Sequence, residues 1–285
     1  MGSRRMTNPP THVRRFPHMR VLDGTPEIDG APLITGSMNA VLDDLQSTLP
    51  SLSRPNLLVT ANVDQVLLLN SLPAWRRVFS AADVRTADGM PIVVLARLLG
   101  SKNLHRITGA DLLIEVCRRA ASGSCRVALV GGTDEVRDAA LRVLRDRFEG
   151  IQVEGFELPI LRTPSDPSSL PTVFALRAYA PDFAFLCLGA PKQELWYDHW
   201  KPQLPAAIFV GSGASMDFVA GSARRAPRWL QRIGLEWMFR LTQEPKRLAH
   251  RYLIRGPRFI VVVFRSLVAA GLHTRRSKST QGRTS

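Results

Sequence analysis

Six short apolar runs constrain this chain more than any other feature. They are NLLVTAN (56–62), DVRTADG (83–89), CRVALVGG (125–132), IQVEGFE (151–157), DFAFLCLG (182–189) and AAIFVGSG (206–213). Five of them lead straight into helix-like segments: VDQVLLLNSLPAWRRVFSAA, MPIVVLARLLG, TDEVRDAALRVLRDRF, APKQELWYDHW and ASMDFVAG. Strands rich in Val, Leu, Ile and Phe followed by amphipathic helices predict a mostly parallel sheet flanked by helices, a Rossmann-like α/β fold. In such sheets ligands bind at the C-terminal strand ends, and every motif considered below falls at one. With 45% hydrophobic residues among 285, the chain can bury a sizeable core. RTPSDPSSLP (162–171) reads as a surface loop, and no internal repeat is visible.

Charge divides the chain unevenly. Residues 224–285 hold fifteen Lys/Arg against two acids, Glu236 and Glu244, a net +13 out of the formal +14. The body is nearly neutral and the tail carries the field, which directs it to a polyanion, either anionic lipid or nucleic acid. From Ala226 to Leu253 apolar residues recur at helical spacing, with Pro245 and Gly256-Pro257 dividing the stretch into short helices. Arg240, Arg247, Arg251 and Arg258 are spaced by 7, 4 and 7, and Arg247 and Arg251 are expected to project together. Residues 259–272 are apolar but interrupted by Arg265, short of the roughly 20 residues a membrane-spanning helix needs. The start, MGSRRMTNPPTHVRRF, lacks the apolar stretch of a secretory signal and reads as a disordered arm. Four regions follow: an arm (1–19), an α/β core (20–223), a basic amphipathic appendage (224–258) and an apolar-then-basic extension (259–285). Cys117, Cys125 and Cys187 suggest neither a disulfide framework nor a zinc site, which fits a reducing cytoplasm.

Several strand ends carry chemistry. In TADGMP, Asp88 either hydrogen-bonds the turn at Gly89 or is held up, partly desolvated, as a base. TAN (60–62) sets Thr60 and Asn62 at the same edge. Gly131 and Gly132, followed by Thr133 as a helix N-cap, either cradle a diphosphate on bare N–H groups or only make a tight bend. GAPKQELW offers Lys192 to a phosphate and Gln193 to an amide or base edge, with Glu194 beside them; otherwise Glu194 is a helix-start charge and Lys192 a solvated side chain. RITGAD adds Arg106, and Asp111, which reads as an N-cap. VGSGASMD approaches the dinucleotide fingerprint, but Met216 stands at its third glycine and no ribose-binding acid follows. A dehydrogenase is therefore disfavoured, and no cofactor is expected. No HxxxH, HExxH or Asp-x-Asp pattern is present, so metal-independent chemistry is expected, with Arg and Lys as the cations.

TANVDQV, TADGMP, RITGAD, LVGGTDE, LGAPKQE, VGSGASMDFVAG and the RAPRWLQRIGLEWMFRLTQEPKR run occur in that order. Together they resemble the WecG/TagA/CpsF family of bacterial glycosyltransferases, glycosyltransferase family 26, over residues 20–253. The resemblance implies an inverting transferase that moves a sugar from a UDP-sugar to a polyprenyl-diphosphate-linked sugar. The implied setting is peripheral, on the cytoplasmic face of the cell membrane, in teichoic-acid, common-antigen or exopolysaccharide synthesis. It leaves the donor open among N-acetylmannosamine, its uronic acid and glucose. Asp88 matches the family's proposed base, with Thr60 and Asn62 beside it. Gln193 and Asp217 match positions near the nucleotide, in a donor set that also takes in Gly131, Gly132, Lys192, Glu194, Gly211 and Gly213. Arg240 and Arg247 match the family's phosphate-binding arginines and Arg106 one of its motif arginines, and all three are expected at the acceptor diphosphate. A third basic position falls at His250 or Arg251, and Arg251 is preferred because it shares a face with Arg247. The resemblance further implies that the appendage closes over the site at an anionic membrane surface, through residues 224–272, and that the chain tends toward homo-oligomers. The competing reading is a non-catalytic, polyanion-binding α/β protein whose tail grips nucleic acid. Interleaved Trp, Leu and Phe in the tail favour a lipid interface, so no nucleic-acid partner is expected.

Overall fold

The computed structural model describes residues 16–123 and 125–281, and the side chains of all of these except Arg232, Arg247 and 272–281. Most of the expected N-terminal arm and the last four residues of the extension lie outside the described residues. The chain opens with a small antiparallel meander, β1 (Met19–Leu22), β2 (Thr25–Ile28) and β3 (Ala31–Pro32). Its two loops are Asp23-Gly24 and Asp29-Gly30, all four residues with positive φ, as two-residue hairpin turns require. The helix α1 (Met38–Thr48) follows, capped by Ser37.

The main body then runs β4 (Asn56–Ala61), α2 (Val63–Leu68), α3 (Pro73–Ala81), β5 (Val84–Ala87), α4 (Met90–Leu98), α5 (Gly109–Ala120), β6 (Arg126–Val130), α6 (Asp134–Arg147) and β7 (Gln152–Phe156). It continues through α7 (Leu170–Tyr179), β8 (Phe183–Leu186), α8 (Lys192–Trp200), β9 (Ile208–Gly211) and α9 (Ser215–Ala220). The six strands β4–β9 form one all-parallel sheet in the order β5-β4-β9-β8-β6-β7. All six apolar runs thus become its strands. Alternate residues feed opposite faces: Val59, Val130, Leu186 and Phe209 join one apolar cluster, and Leu58, Leu129, Phe185 and Val210 the other. Burial on both faces explains why the runs show no polar alternation. The chain leaves β4 toward one edge and β6 toward the other. The loops after β4, β9 and β8 therefore open onto a crevice at their C-terminal ends, where a ligand site is expected.

The tail folds back over that crevice in short pieces, α10 (Arg228–Arg232), α11 (Glu236–Gln243) and α12 (Pro245–Ala249). A widened turn through 250–255 and a tight one through 256–258 lead into the long helix α13 (Phe259–Gln281). The breaks at Pro245 and at Gly256-Pro257 fall as the sequence predicts. Among the described residues no helix is long and apolar enough to cross a membrane. α13 packs on the opening meander: Ser266 Oγ accepts from Met19 N at 2.7 Å, and Phe259 and Val262 are buried in the cluster that holds Met19 and Ile28.

Candidate active site

Asp88 sits where β5 ends. Its N–H donates to Ala61 O at 2.7 Å, and Ile107 N donates to Ala87 O at 2.8 Å, so the strand end is gripped from both sides. Gly89 is the N-cap of α4 in extended conformation (φ −106°), with Pro91 in the first turn, and no side chain caps the helix. A Cβ on Gly89 would meet only ordinary contacts, the nearest at 3.7 Å. The backbone leads straight into a helix, and the carboxyl is not spent on a turn. Loss of hydration pushes the Asp88 pKa up to about 6. Arg106 opposes that rise, Glu236 reinforces it, and Arg240 and Arg225 oppose it further.

Two adjoining cavities share Asp88 as a wall. A polar one of about 120 Å³ lies under the ends of β4, β8 and β9, bordered by Thr60, Gly189, Gly211, Gly213, Ser215 and Arg225. An apolar one of about 390 Å³ is bordered by Val63, Met90, Pro91, Trp237, Tyr252 and Phe259. Asn62, Asp88, Glu236, Arg240 and Arg251 border both.

The polar cavity rests on a buried amide–carboxyl hub. Gln193 Oε1 accepts from Gly189 N at 3.0 Å and Gly213 N at 3.1 Å, tying two glycine loops together. Its Nε2 donates to Glu194 Oε1 at 2.9 Å, which also receives Gln65 Nε2 at 3.1 Å. Gln65 in turn forms a reciprocal capping box with Asn62 at the start of α2. Glu194 is completely buried, its Oε2 has no partner, and desolvation pushes its pKa up to about 7. Thr60 Oγ1 donates to Gly211 O at 2.8 Å, stitching β4 to β9. Gly211 leaves these side chains room: a Cβ would lie 2.6 Å from Glu194 Oε1 and 2.7 Å from Gln193 Nε2, so either would have to shift. The indoles that anchor α8 are satisfied as well, Trp196 by Ser169 Oγ and Trp200 by Pro164 O.

The appendage meets the core through charges. Arg106 donates from Nη1 to Glu236 Oε2 at 3.0 Å and from Nη2 to Gln231 Oε1 at 3.2 Å. Arg225, which the sequence reading missed, grips both oxygens of Asp111 at 2.6 and 2.9 Å, and its Nε lies 3.8 Å from Glu236. Burial works against this pair, yet the contact lowers the Asp111 pKa and raises that of Arg225. Arg251 donates to Asn62 Oδ1 at 3.3 Å and faces Asp64 at 3.5 Å, and Arg255 faces the same Asp64 at 3.3 Å. Arg240 lies over the Phe218 ring, 5.4 Å from its centroid. His250 is exposed, whereas Arg251 borders both cavities.

Asp88, Thr60, Asn62, Gln193, Gly211, Gly213, Arg106, Arg240 and Arg251 therefore gather around one crevice. The remaining expected residues do not border it. Gly131 and Gly132 make the β6–α6 turn with φ +93° and +73°, and a Cβ on either would lie 2.8 Å from Leu188 or Met216. Lys192 is exposed on α8, Glu194 lies beneath the cavity floor, and Asp217 is in the first turn of α9 outside the lining. Arg247 belongs to α12, but its side chain lies outside the described residues. Asp111 is not an N-cap. Thr108 caps α5 by accepting from Asp111 N at 3.0 Å, which leaves the Asp111 carboxylate for Arg225. Among the described residues no three of His, Cys, Asp or Glu gather in a way that could hold a metal ion.

Comparison with known proteins gives a consistent result. The model of the "Glycosyl transferase WecG/TagA/CpsF family" matches residues 27–271. A protein of Bacillus spizizenii is 27% identical over 241 residues, covering 85% of this chain and 91% of that protein. One from Staphylococcus aureus strain MW2 is 28% identical over 223 residues, covering 78% of this chain and 86% of that protein. Both are described as N-acetylglucosaminyldiphosphoundecaprenol N-acetyl-beta-D-mannosaminyltransferase.

Proposed function

Since the chain belongs to the WecG/TagA/CpsF family of glycosyl transferases and is itself a glycosyltransferase, we propose that it transfers N-acetylmannosamine. The donor in this reading is UDP-N-acetylmannosamine and the acceptor is an N-acetylglucosaminyl diphosphate carried on a polyprenol, with configuration inverted at the anomeric carbon. Family membership removes the non-catalytic alternative. The observation that carries the reading is Asp88 on the wall between a polar and an apolar cavity. The nucleotide suits the polar side, which Arg225, Arg240 and Arg251 border. The lipid-linked acceptor suits the side lined by Trp237, Tyr252 and Phe259.

In the reaction, Asp88 accepts the proton of the acceptor hydroxyl as that oxygen bonds to the anomeric carbon. The bond from that carbon to the donor's diphosphate oxygen breaks, and its electron pair leaves with UDP. Arg106, Arg240 and Arg251 are close enough to the junction to stabilise diphosphate charge, which assigns to arginine the role a metal takes elsewhere. Trp229, Ile233, Met238, Leu253, Ile254, Ile260 and Phe264 are exposed around this basic tail. That combination favours peripheral docking on an anionic membrane, with each nearby cation contributing about 1 kcal/mol.

Release of UDP from a panel of UDP-sugars, with a GlcNAc-diphospho-lipid acceptor and with or without EDTA, tests the reading. Asp88→Asn is expected to keep the fold and lose on the order of 10²–10⁴ in turnover. Turnover equal to the parent's would remove Asp88 as the base. EDTA is expected to leave the parent's turnover unchanged.

A further inference from the structure

Glu236 is one of only two acids in the basic tail, and it points back into the core. An acid in the first turn of α11 suits the helix dipole, but that does not explain its direction. Its carboxylate takes Arg106 Nη1 at 3.0 Å, while Gln231, also from the tail, takes Nη2 at 3.2 Å. Arg106 is bridged to Ala87, the residue before Asp88. Arg106 Nη2 also lies 4.0 Å from Asp111 Oδ2, so without the tail this guanidinium would be shared between Asp111 and Asp88, and a carboxylate paired with arginine is a poor base. The tail occupies both ends of this one.

We propose that Glu236 is a positioning residue for the base: the docked tail draws Arg106 off Asp88 and sets a like charge on the wall they share. Asp88 then takes up a proton effectively only with the tail in place, which makes closure a condition of the chemistry as well as of binding. The inference rests on Asp88 being the base.

The other charged groups around Asp88 come from several elements. Arg225 enters from the segment before α10 and holds both oxygens of Asp111 on α5, with its buried Nε unpaired and 3.8 Å from Glu236. Arg240 stands on α11 over Phe218. Arg251 follows α12 and, with Arg255, faces Asp64 of α2. Arg106, Arg240 and Arg225 each favour the ionised Asp88. Glu236 alone among the charged groups opposes them, adding to the loss of hydration that carries Asp88 to about 6.

The test is the pH dependence of UDP release by the full chain in three variants. Glu236→Gln keeps the shape and removes the charge, and its acid limb is expected about one pH unit below the parent's. Its plateau is expected roughly threefold lower, because the base is weaker. Arg106→Gln removes the nearest opposing cation, so its limb is expected above the parent's. A purely mechanical latch would move both limbs downward, since undocking only rehydrates Asp88. Any result in which the two limbs do not separate to opposite sides of the parent's overturns the proposal. Where turnover is too slow to follow, titration of the Asp88 carboxyl carbon by NMR in the same variants decides it by the same criterion. Asp88→Asn separates the two failures: activity in that variant defeats the base reading, whereas its inactivity with unmoved limbs defeats only the role of Glu236.

Discussion

The two sides of the crevice are held by different forces. The floor of the polar cavity is fastened by backbone N–H groups, two glutamine amides and one buried carboxyl, all within the α/β body. The tail that roofs it is fastened largely by arginine–carboxylate pairs in a partly open cavity. A buried amide network has no better partner to turn to, so it stays in place whether or not a nucleotide is bound. Ion pairs at a crevice face competition, because an incoming diphosphate offers arginine the same contacts. One side is preorganised and the other is assembled by closure. α13 complicates the division, since Phe259, Val262 and Ser266 pack against the opening meander. Cutting the chain after Gly221 would expose that core, so point substitutions isolate the tail better than truncation does.

The change that strikes this contrast most directly is at Gly211. Gly211→Ala places a methyl into the contact with Glu194 and Gln193, and is expected to cost on the order of 1–3 kcal/mol in urea unfolding. It should also raise the KM for the UDP-sugar. A variant as stable and active as the parent would show that the floor is not rigid.

On the other side, Ile260 and Phe264 lie one turn apart on α13 and are 72% and 67% exposed. Replacing both with Ser should lower flotation with anionic liposomes at least tenfold, since each buried apolar side chain contributes about 1.5–3 kcal/mol. Unfolding and the KM for the UDP-sugar should be unchanged. Undiminished flotation would detach the membrane contact from this helix.

The last test concerns Glu194, whose effect is spread over a pH range. Its carboxyl titrates near 7 when folded and near 4.5 when unfolded, so between these values the folded chain holds the extra proton. Stability is therefore expected to fall as pH rises from about 4.5 through about 7, by at most on the order of 3 kcal/mol. Glu194→Gln, which cannot ionise, should flatten that slope. An unchanged slope would mean that the floor does not depend on a protonated carboxyl.

Much of this was legible in the chain itself. All six apolar runs became sheet strands, because burial on both faces leaves a local mark. Asp88 was legible as a strand-end acid, though not as one released from its turn, since only the extended φ of Gly89 shows that. The opening meander was missed despite two Asp-Gly pairs, LDGT and IDGA, each the signal of a two-residue hairpin loop. Arg225 left no local signal. It is one arginine in a basic stretch, and its partner Asp111 lies 114 residues away.

The alternation of runs, the breaks in the tail and its charge were settled by the sequence alone, because each depends on neighbours within a few residues. Which charges meet was settled only by the tertiary structure. Gln193 and Glu194 are adjacent in sequence, yet one borders the cavity and the other lies sealed beneath it. Glu236 becomes a neighbour of Asp88 only because the tail folds back across the ends of the parallel strands. Such pairings join residues more than a hundred positions apart, and no local pattern in the chain encodes them.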